Sequence, residues 1–442
     1  MHIPPNADGA SPAAIMADSH GPAGAGAPAE LAGPAARARI NGLDVTRGFA
    51  VMGILTMNII GFAMPQSAYF SPVPWGSAGA ADVAAWAAAF ILFDSKMRGL
   101  FTLLFGASAL LVMQSAAQSG RSTARVHYTR MGTLALFGLA HYALLWWGDI
   151  LLLYAVCGLF LYPFRNAGPR ALAIAGTAMI TLNTLMIGLG LWAMRMTAAT
   201  GDVDALEGVA AMNESFTHNT AEAIQEFALM NGSYAAIIHD RVVANGTSAL
   251  WGVVEWGFET LGLMLIGMAL FKMGMLAGEW TQERLARWRN IGLISGAVGA
   301  AILVWWQWQS GYEGLTIMLA SLALSVPFDT AMAIGYAALF MGLAHRFGGS
   351  AAMVRVAAAG RAAFTNYLGT SLVMTTIFYG YGLGLFGSVD RAPLYLFVGG
   401  AWVIMLLWSK PWLDRFAYGP MEWLWRSMAR GRWQPLARRP VG

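Results

Sequence analysis

The residues best suited to chemistry are ionisable side chains inside long apolar stretches. His141 lies in one such stretch, and Asp149 follows it eight positions later. An imidazole can take up and return a proton near neutral pH, and a neighbouring carboxylate can orient it. Of the seven His residues, we expect only His141 inside an apolar helix, where its desolvation needs a reason. We predict that His141 handles a proton and Asp149 orients it; the alternative is a structural hydrogen bond to a neighbouring helix.

A pair of opposite charges opens the first long apolar run. Asp44 and Arg47 are three positions apart, which places them on one face of a helix. Asn58 lies near the far end of the same run. The charges form either a local ion pair or a site in which Arg47, steadied by Asp44, binds an anionic ligand.

Further charges lie within later apolar stretches. Asp94, Lys96 and Arg98 interrupt the second run, and Glu255 and Glu259 lie one helical turn apart in another. At a membrane interface the first three would be ordinary snorkelling residues. At membrane depth they would form a binding site, which the apolar sequence on both sides favours. The two glutamates either share a proton or pair with a base, or they lie in the outer headgroup region.

Composition identifies the solvent around these residues. Of 442 residues, 57% are hydrophobic and only 11% are charged, against roughly 25% charged in soluble domains. In lipid, backbone polar groups must be satisfied within helices or closed barrels. The apolar runs have helix length and lack period-two alternation, so we predict an all-α, polytopic bundle of about ten helices. The predicted spans are 45–64, 82–113 (one long helix, or a half-helix and a span), 131–147, 150–164, 171–194, 250–271, 291–308, 315–343, 364–386 and 394–408.

Charge predicts the orientation and the domain plan. Basic residues cluster in alternate loops and after the last span, whereas the segment 195–248 is polar and acidic. The positive-inside rule therefore places both termini in the cytoplasm and 195–248 outside. We predict a disordered Ala/Pro/Gly tail at 1–36, a transmembrane domain at 37–432 and a basic cytoplasmic tail at 433–442. The net charge of +4 lies in short loops and does not indicate a nucleic-acid partner.

Several motifs resemble the YeiB-like family of bacterial membrane proteins. They cover nearly the whole chain, from about 37 to 432. The resemblance implies a multi-pass protein of the bacterial cytoplasmic membrane, and it adds Arg361, Asn366 and Tyr367 to the candidate site. The matching stretches are 39–54, 101–106, 141–154, 360–368, 378–384 and 419–426.

The Asp44-x2-Arg47-Gly48 start and Asn58 are also similar to the first helix of heparan-α-glucosaminide N-acetyltransferase relatives and, more distantly, of acyltransferase-3 proteins. That similarity implies a transmembrane acyltransferase with acyl-CoA as donor substrate, no permanently bound cofactor, and a small or lipid-linked acceptor. Those acetyltransferases carry a catalytic His in the first outer loop, but the comparable segment 65–82 contains none. His141 could replace it only if the third helix borders the same cavity.

In this interpretation, positive side chains bind the donor phosphates, and His141 with Asp149 deprotonates an acceptor hydroxyl. Two alternatives remain open: a transporter whose permeation path uses the same polar residues, and a membrane protein whose polar core is structural. No His or Cys spacing indicates a metal site. The donor-binding residues in this interpretation are Arg47, Lys96, Arg98 and Arg361.

Overall fold

The computed structural model describes residues 34–437, with side chains from residue 41 onward. Within that range the chain is helical and contains no β-strand; the one β contact is an isolated bridge between Phe416 and Ala437. Most of the predicted tail 1–36 and the last five residues lie outside the described residues.

The helices are α1 (Pro34–Ala63), α2 (Ala80–Leu92), α3 (Lys96–Gln118), α4 (Thr123–Leu144), α5 (Leu151–Leu159), α6 (Pro169–Ala199), α7 (Val203–Glu214), α8 (Ala221–Met230), α9 (Tyr234–His239), α10 (Ser248–Lys272), α11 (Gln282–Gln309), α12 (Gly314–Leu319), α13 (Val326–Phe347), α14 (Ala351–Arg361), α15 (Ala363–Phe378), α16 (Arg391–Arg415) and α17 (Pro420–Arg430).

Seven helical stretches in the described chain are long and apolar enough to cross a membrane. The prediction of an all-α, polytopic membrane protein is therefore confirmed. The other three predicted spans correspond to α4, α5 and α15, which fall outside this set. The seven stretches are Asn41–Ala63, Ala80–Gln118, Pro169–Ala199, Ser248–Lys272, Gln282–Gln309, Val326–Phe347 and Arg391–Arg415.

The second predicted span is a half-helix followed by a full span. The helix α2 ends at Leu92 and α3 begins at Lys96, with Ser95 between them in the left-handed region at φ 56°. A break of this kind leaves carbonyl groups without helical partners. The ammonium group of Lys96 donates to two of them, Phe90 O at 2.8 Å and Asp94 O at 3.0 Å.

Two other predicted spans differ in detail. The eighth, predicted over 315–343 as a helix broken at Pro327, is divided into α12, a π-helical turn (Ala320–Leu324) and α13, with that Pro in the first turn of α13. The fourth, predicted over 150–164, contains only the nine-residue α5 and a 3-10 turn (Tyr162–Asn166). Proline lacks the backbone N–H that a continuing helix needs, which explains the first difference.

Glycines allow the central helices to pack with their backbones in contact. A Cβ atom at Gly360 in α14 would collide with the carbonyl oxygen of Asp44 in α1, and one at Gly48 would collide with Val356 O. Likewise, a Cβ at Gly106 in α3 would collide with Met264 O of α10. Small residues permit this close approach in membranes, so α1 is fixed against α14, and α3 against α10.

The predicted polar outer segment folds over the bundle. After α6 ends at Ala199, it forms α7, α8, α9 and a π-helical turn (Asp240–Ala244). Backbone hydrogen bonds join it to other loops, from Asn219 N to Pro74 O at 3.0 Å and from Gly380 N to Met230 O at 2.8 Å. The segment therefore covers one end of the spanning helices.

Candidate functional site

A cavity of about 760 Å³ lies between the helix bundle and the outer segment. It is lined by residues from α1, α3, α4, α8, α10 and the break before α3. Its volume is in the range of small-molecule sites, ~300–1,000 Å³. Five of the predicted site residues line it: Asn58, Asp94, Arg98, Asp149 and Glu255.

Two ion pairs anchor the charged break at the floor of this cavity. Lys96 Nζ lies 2.5 Å from Asp329 Oδ1 of α13, and Arg98 Nη2 lies 2.8 Å from Glu259 Oε1 of α10. The Arg98 guanidinium also lies 5.1 Å from the ring centroid of Trp256. Lys96 and Glu259 are therefore held as buried partners behind the cavity wall, whereas Arg98 reaches it.

Several polar atoms near this floor have no protein partner. Arg98 Nη1 and Glu259 Oε2 are buried without a hydrogen bond. The carboxylate of Glu255 forms no hydrogen bond or ion pair within the described chain, whereas that of Asp94 contacts Ser95 and interacts electrostatically with Lys96 and Arg98. Unsatisfied buried polar groups are costly. Of these residues, Arg98, Asp94 and Glu255 line the cavity, where their polar groups can meet a ligand.

His141 lies in the middle of a hydrogen-bonded chain of three side chains. Its Nδ1 is 2.8 Å from Asp149 Oδ1, and its Nε2 is 2.9 Å from Ser371 Oγ of α15. The second oxygen of Asp149 accepts the backbone N–H of Leu152 at 2.8 Å. The tight turn after Trp147 thus brings Asp149 back onto His141, and the carboxylate favours a proton on Nδ1.

This hydrogen-bonded set of side chains is buried in the wall of the cavity. The side chains of His141 and Asp149 are only 1% and 2% exposed. The next residue of α4, Tyr142, lines the cavity together with Tyr69 and Phe70 of the first outer loop. The helix predicted as the third span therefore borders the same cavity as segment 65–82, although His141 itself lies one layer behind the surface.

A second polar site lies in the N-terminal half of α1, about three helical turns from Asn58. Arg47 Nη1 donates to Asp44 Oδ1 at 3.0 Å, and its Nη2 donates to Ser108 Oγ of α3 at 3.0 Å. Arg361, which is exposed, and Arg426 act electrostatically on the Asp44 carboxylate. Burial, followed by the charges of Arg426 and other neighbouring arginines, lowers the pKa of Arg430 in α17. This end of the bundle therefore concentrates positive charge.

Two further predicted residues, Asn366 and Tyr367, do not line the cavity. Asn366 donates to Ala359 O at 3.0 Å and accepts from Trp408 Nε1 at 2.9 Å, so it links α14, α15 and α16. Tyr367 lies against His141, with ring centroids 5.2 Å apart, and its hydroxyl is 3.4 Å from Gly148 O. Tyr367 therefore supports the turn that carries Asp149.

Two details of the expected placement are wrong. His127 lies inside α4 and is buried, with Nε2 at 2.8 Å from Gly158 O, so His141 is not the only helical histidine buried among apolar residues. Trp146 is buried against Phe62 and donates to Gly61 O at 3.2 Å. The adjacent pair Trp146-Trp147 predicts an aromatic belt at a membrane interface, and for the buried Trp146 that prediction is wrong.

Sequence reasoning missed the polar residues that the outer segment supplies. Glu226 of α8, Asp240 and Arg241 all line the cavity. Burial raises the pKa of Glu226 to about 7; Asp240 adds to the rise, and the N–H of Gln66, at 2.8 Å from Glu226 Oε2, opposes it. In an acidic extramembrane segment these residues carry no special spacing, so only their folding over the cavity reveals them.

The fold and these two sites define a polytopic α-helical membrane protein with a polar cavity at one end of the bundle and a cationic cluster toward the other end. Residues 270–432 match the family described as "Protein of unknown function (DUF418)". The chain is 34% identical to the uncharacterized protein YeiB of Escherichia coli (strain K12), over 87% of this chain and 95% of the relative. It is 31% identical to the uncharacterized protein YxaH of Bacillus subtilis (strain 168), over 91% and 96%. The chain therefore belongs to the YeiB-like family. No solved structure matches it.

Proposed function

We propose that this chain is a multi-pass protein of the bacterial cytoplasmic membrane that transfers an acyl group from a cytoplasmic donor, such as acyl-CoA, to an acceptor in the outer cavity. The observation that carries the proposal is the pairing of two polar sites about three helical turns apart along α1. Arg47 belongs to the cationic cluster and Asn58 lines the cavity. At 1.5 Å per residue, eleven positions separate them by about 16 Å along the helix.

The cationic cluster suits a donor that carries phosphate groups. Guanidinium groups bind phosphate through paired, charge-assisted hydrogen bonds. Asp44 and Ser108 hold Arg47 in one orientation, and Arg361 lies exposed close to them. A thioester donor bound here has its phosphates at the cytoplasmic surface and its acyl group directed into the bundle.

The buried histidine chain suits the proton that such a transfer releases. The acceptor loses a proton to His141, the acyl carbon bonds to the acceptor oxygen or nitrogen, and the thioester C–S bond breaks. The sulfur leaves as a thiolate, which becomes the thiol when the proton is returned to it. The His141 imidazolium formed by that proton has a partner for each N–H, Asp149 on one side and Ser371 on the other. The Ser371 hydroxyl can then turn to Tyr367 O, 3.3 Å away. An acceptor in the cavity can reach His141 only when the turn at 145–150 moves.

The proposal is tested by thiol release from acetyl-CoA in purified protein reconstituted with bacterial lipid. His141→Gln keeps a hydrogen-bonding side chain but removes the base, and we expect at least a ~100-fold slower release. His127→Gln, the other buried histidine of α4, serves as the matched control and should retain the rate. Arg47→Ala should raise the donor KM, whereas Arg287→Ala on the exposed face of α11 should not. Full activity of a folded His141→Gln protein contradicts the proton role.

A second candidate function, small-molecule transport, is favoured by a different observation. Both broken helices line the cavity, through Asp94 and Ser95 of the first break and Ser321 of the second. Discontinuous helices at a central site are how many transporters bind substrates and ions. Transport predicts solute flux across proteoliposomes without any acyl donor, whereas acyl transfer predicts no product unless the donor is present.

A further inference from the structure

We infer that the outer cavity binds the head group of an aminophospholipid that enters sideways from the outer leaflet. The inference deepens the proposed function, because in an acyltransferase this lipid would be the acyl acceptor. Only that acceptor role rests on the proposed function. Binding itself follows from the cavity's charge, its aromatic wall and the position of its mouth.

The first observation is the balance of charge in the cavity. Six acidic residues and two arginines belong to its lining. Arg98 is already paired with Glu259. Glu255 forms no hydrogen bond or ion pair in the described chain, and Asp94 forms no ion pair there, although the Lys96 charge acts on it. Surplus carboxylates beside a cavity favour an ammonium group. The acidic lining residues are Asp94, Asp149, Glu222, Glu226, Asp240 and Glu255.

The second observation is a buried guanidinium with an unused donor. Arg241 is only 4% exposed and lines the cavity. Its Nη1 donates to Tyr142 O at 3.2 Å, but Nη2 has no partner in the described chain. A guanidinium N–H that lacks a partner beside a cavity is suited to a phosphate oxygen. The lining therefore offers groups for an ammonium and for a phosphate in the same head group.

The third observation is that seven aromatic residues belong to the wall. They give apolar surface to a glycerol and acyl chain, and their faces attract a cation. Trp256 already carries the Arg98 guanidinium on one face. The aromatic lining residues are Tyr69, Phe70, Tyr142, Trp146, Trp147, Trp251 and Trp256.

The mouth of the cavity lies at the level where a lipid head group meets its chains. Lys272 ends α10 at the cytoplasmic side, and about 20 residues cross the hydrocarbon core. The outer boundary therefore falls near Gly252, and Glu255 lies about 5 Å inside it.

The residues at the mouth are both lining and exposed. Three of them line the cavity yet are exposed: Ser248, Trp251 and Glu255. Apolar side chains on the same part of α10 are also exposed, namely Leu250, Trp251, Val254 and Phe258. The mouth thus opens sideways along the outer half of α10.

The test measures protection of a cysteine at this mouth. Cys157 is buried and is the only cysteine of the chain, so Ser248→Cys adds one accessible thiol. The protein is placed in phosphatidylglycerol nanodiscs and labelled with an aqueous maleimide. We expect lysophosphatidylethanolamine to slow labelling about tenfold. Thr200→Cys, exposed at the end of α6 and outside the cavity lining, should be unaffected. Glu255→Gln in the Ser248→Cys protein should remove most of the protection.

The control ligands separate the parts of the inference. Equal protection by lysophosphatidylglycerol overturns the role of the ammonium group. Equal protection by free phosphoethanolamine shows that a soluble head group is the ligand and overturns the lipid. Absence of protection by all three overturns the site. The labelling needs neither donor nor turnover, so its result is independent of whether the protein transfers acyl groups.

Discussion

Lys96 and Asp329 form one ion pair that joins both breaks in the spanning helices. Lys96 lies at the start of α3, Asp329 lies in the first turn of α13, and 2.5 Å separates Lys96 Nζ from Asp329 Oδ1. The side chains are 1% and 10% exposed. Because Lys96 also caps carbonyl groups of the first break, the geometry of the cavity floor depends on this contact.

We expect Asp329→Asn to destabilise the protein strongly, because it leaves the Lys96 ammonium buried without its counter-charge. Removing one partner of a buried pair costs about 3–5 kcal/mol. The measurement is the unfolding midpoint of the purified protein in detergent. Asp414→Asn is the control, since the Lys410–Asp414 pair is largely exposed and should contribute little. A folded Asp329→Asn protein as stable as the parent contradicts this account of the break.

Gly360→Ala should separate α14 from α1. The added Cβ has no room against the Asp44 carbonyl oxygen, and overpacking of this kind costs about 1–3 kcal/mol. Because Asp44 holds Arg47, donor binding should weaken together with stability. Gly399→Ala in α16 is the matched control, since nothing lies within 4 Å of its added Cβ. Equal melting temperatures for the two variants would show that the close packing is dispensable.

The sequence predicted the helical class and the unusual charges, but not how the charges pair. Apolar run length carries the first signal, and an ionisable residue in such a run carries the second. The Lys96–Asp329 contact spans 233 positions, and Ser371 reaches His141 over 230. No local pattern encodes such contacts. The break at Ser95 and the π-helical turn also depend on tertiary partners for their freed backbone groups.

Glu226 predicts a pH dependence of stability. Its ordinary pKa of 4.5 rises to about 7 in the folded protein, so the folded state binds the proton more tightly than the unfolded state does. Stability should therefore fall as pH rises from about 4.5 to about 7 and then level off. In Glu226→Gln, which can still accept the Gln66 N–H, this component should disappear. Above pH 7, the Glu226→Gln protein should therefore melt roughly 1–3 °C higher than the parent, relative to their difference at low pH. An unchanged pH profile contradicts the burial of this carboxyl.

The orientation of the chain follows from its charge asymmetry and can be measured directly. A reporter that fluoresces only in the cytoplasm should fluoresce when fused after Arg439 and remain dark when inserted near Asn219. The reason is that basic loops are retained on the cytoplasmic side, which places the acidic roof of the cavity outside. The opposite result at either position reverses the two proposed sites.

The central claim is that an acyl group crosses from a cytoplasmic donor site to an acceptor in the outer cavity, and the sidedness of the donor tests it most directly. Sealed vesicles of defined orientation receive acetyl-labelled acetyl-CoA on one side only, and label in the extracted lipid and in the enclosed medium is counted. Donor at the cytoplasmic face, beside Arg47 and Arg361, should give labelled product that His141→Gln reduces at least ~100-fold. Donor at the outer face should give none. Product from the outer face alone, or no product from either face, contradicts the account.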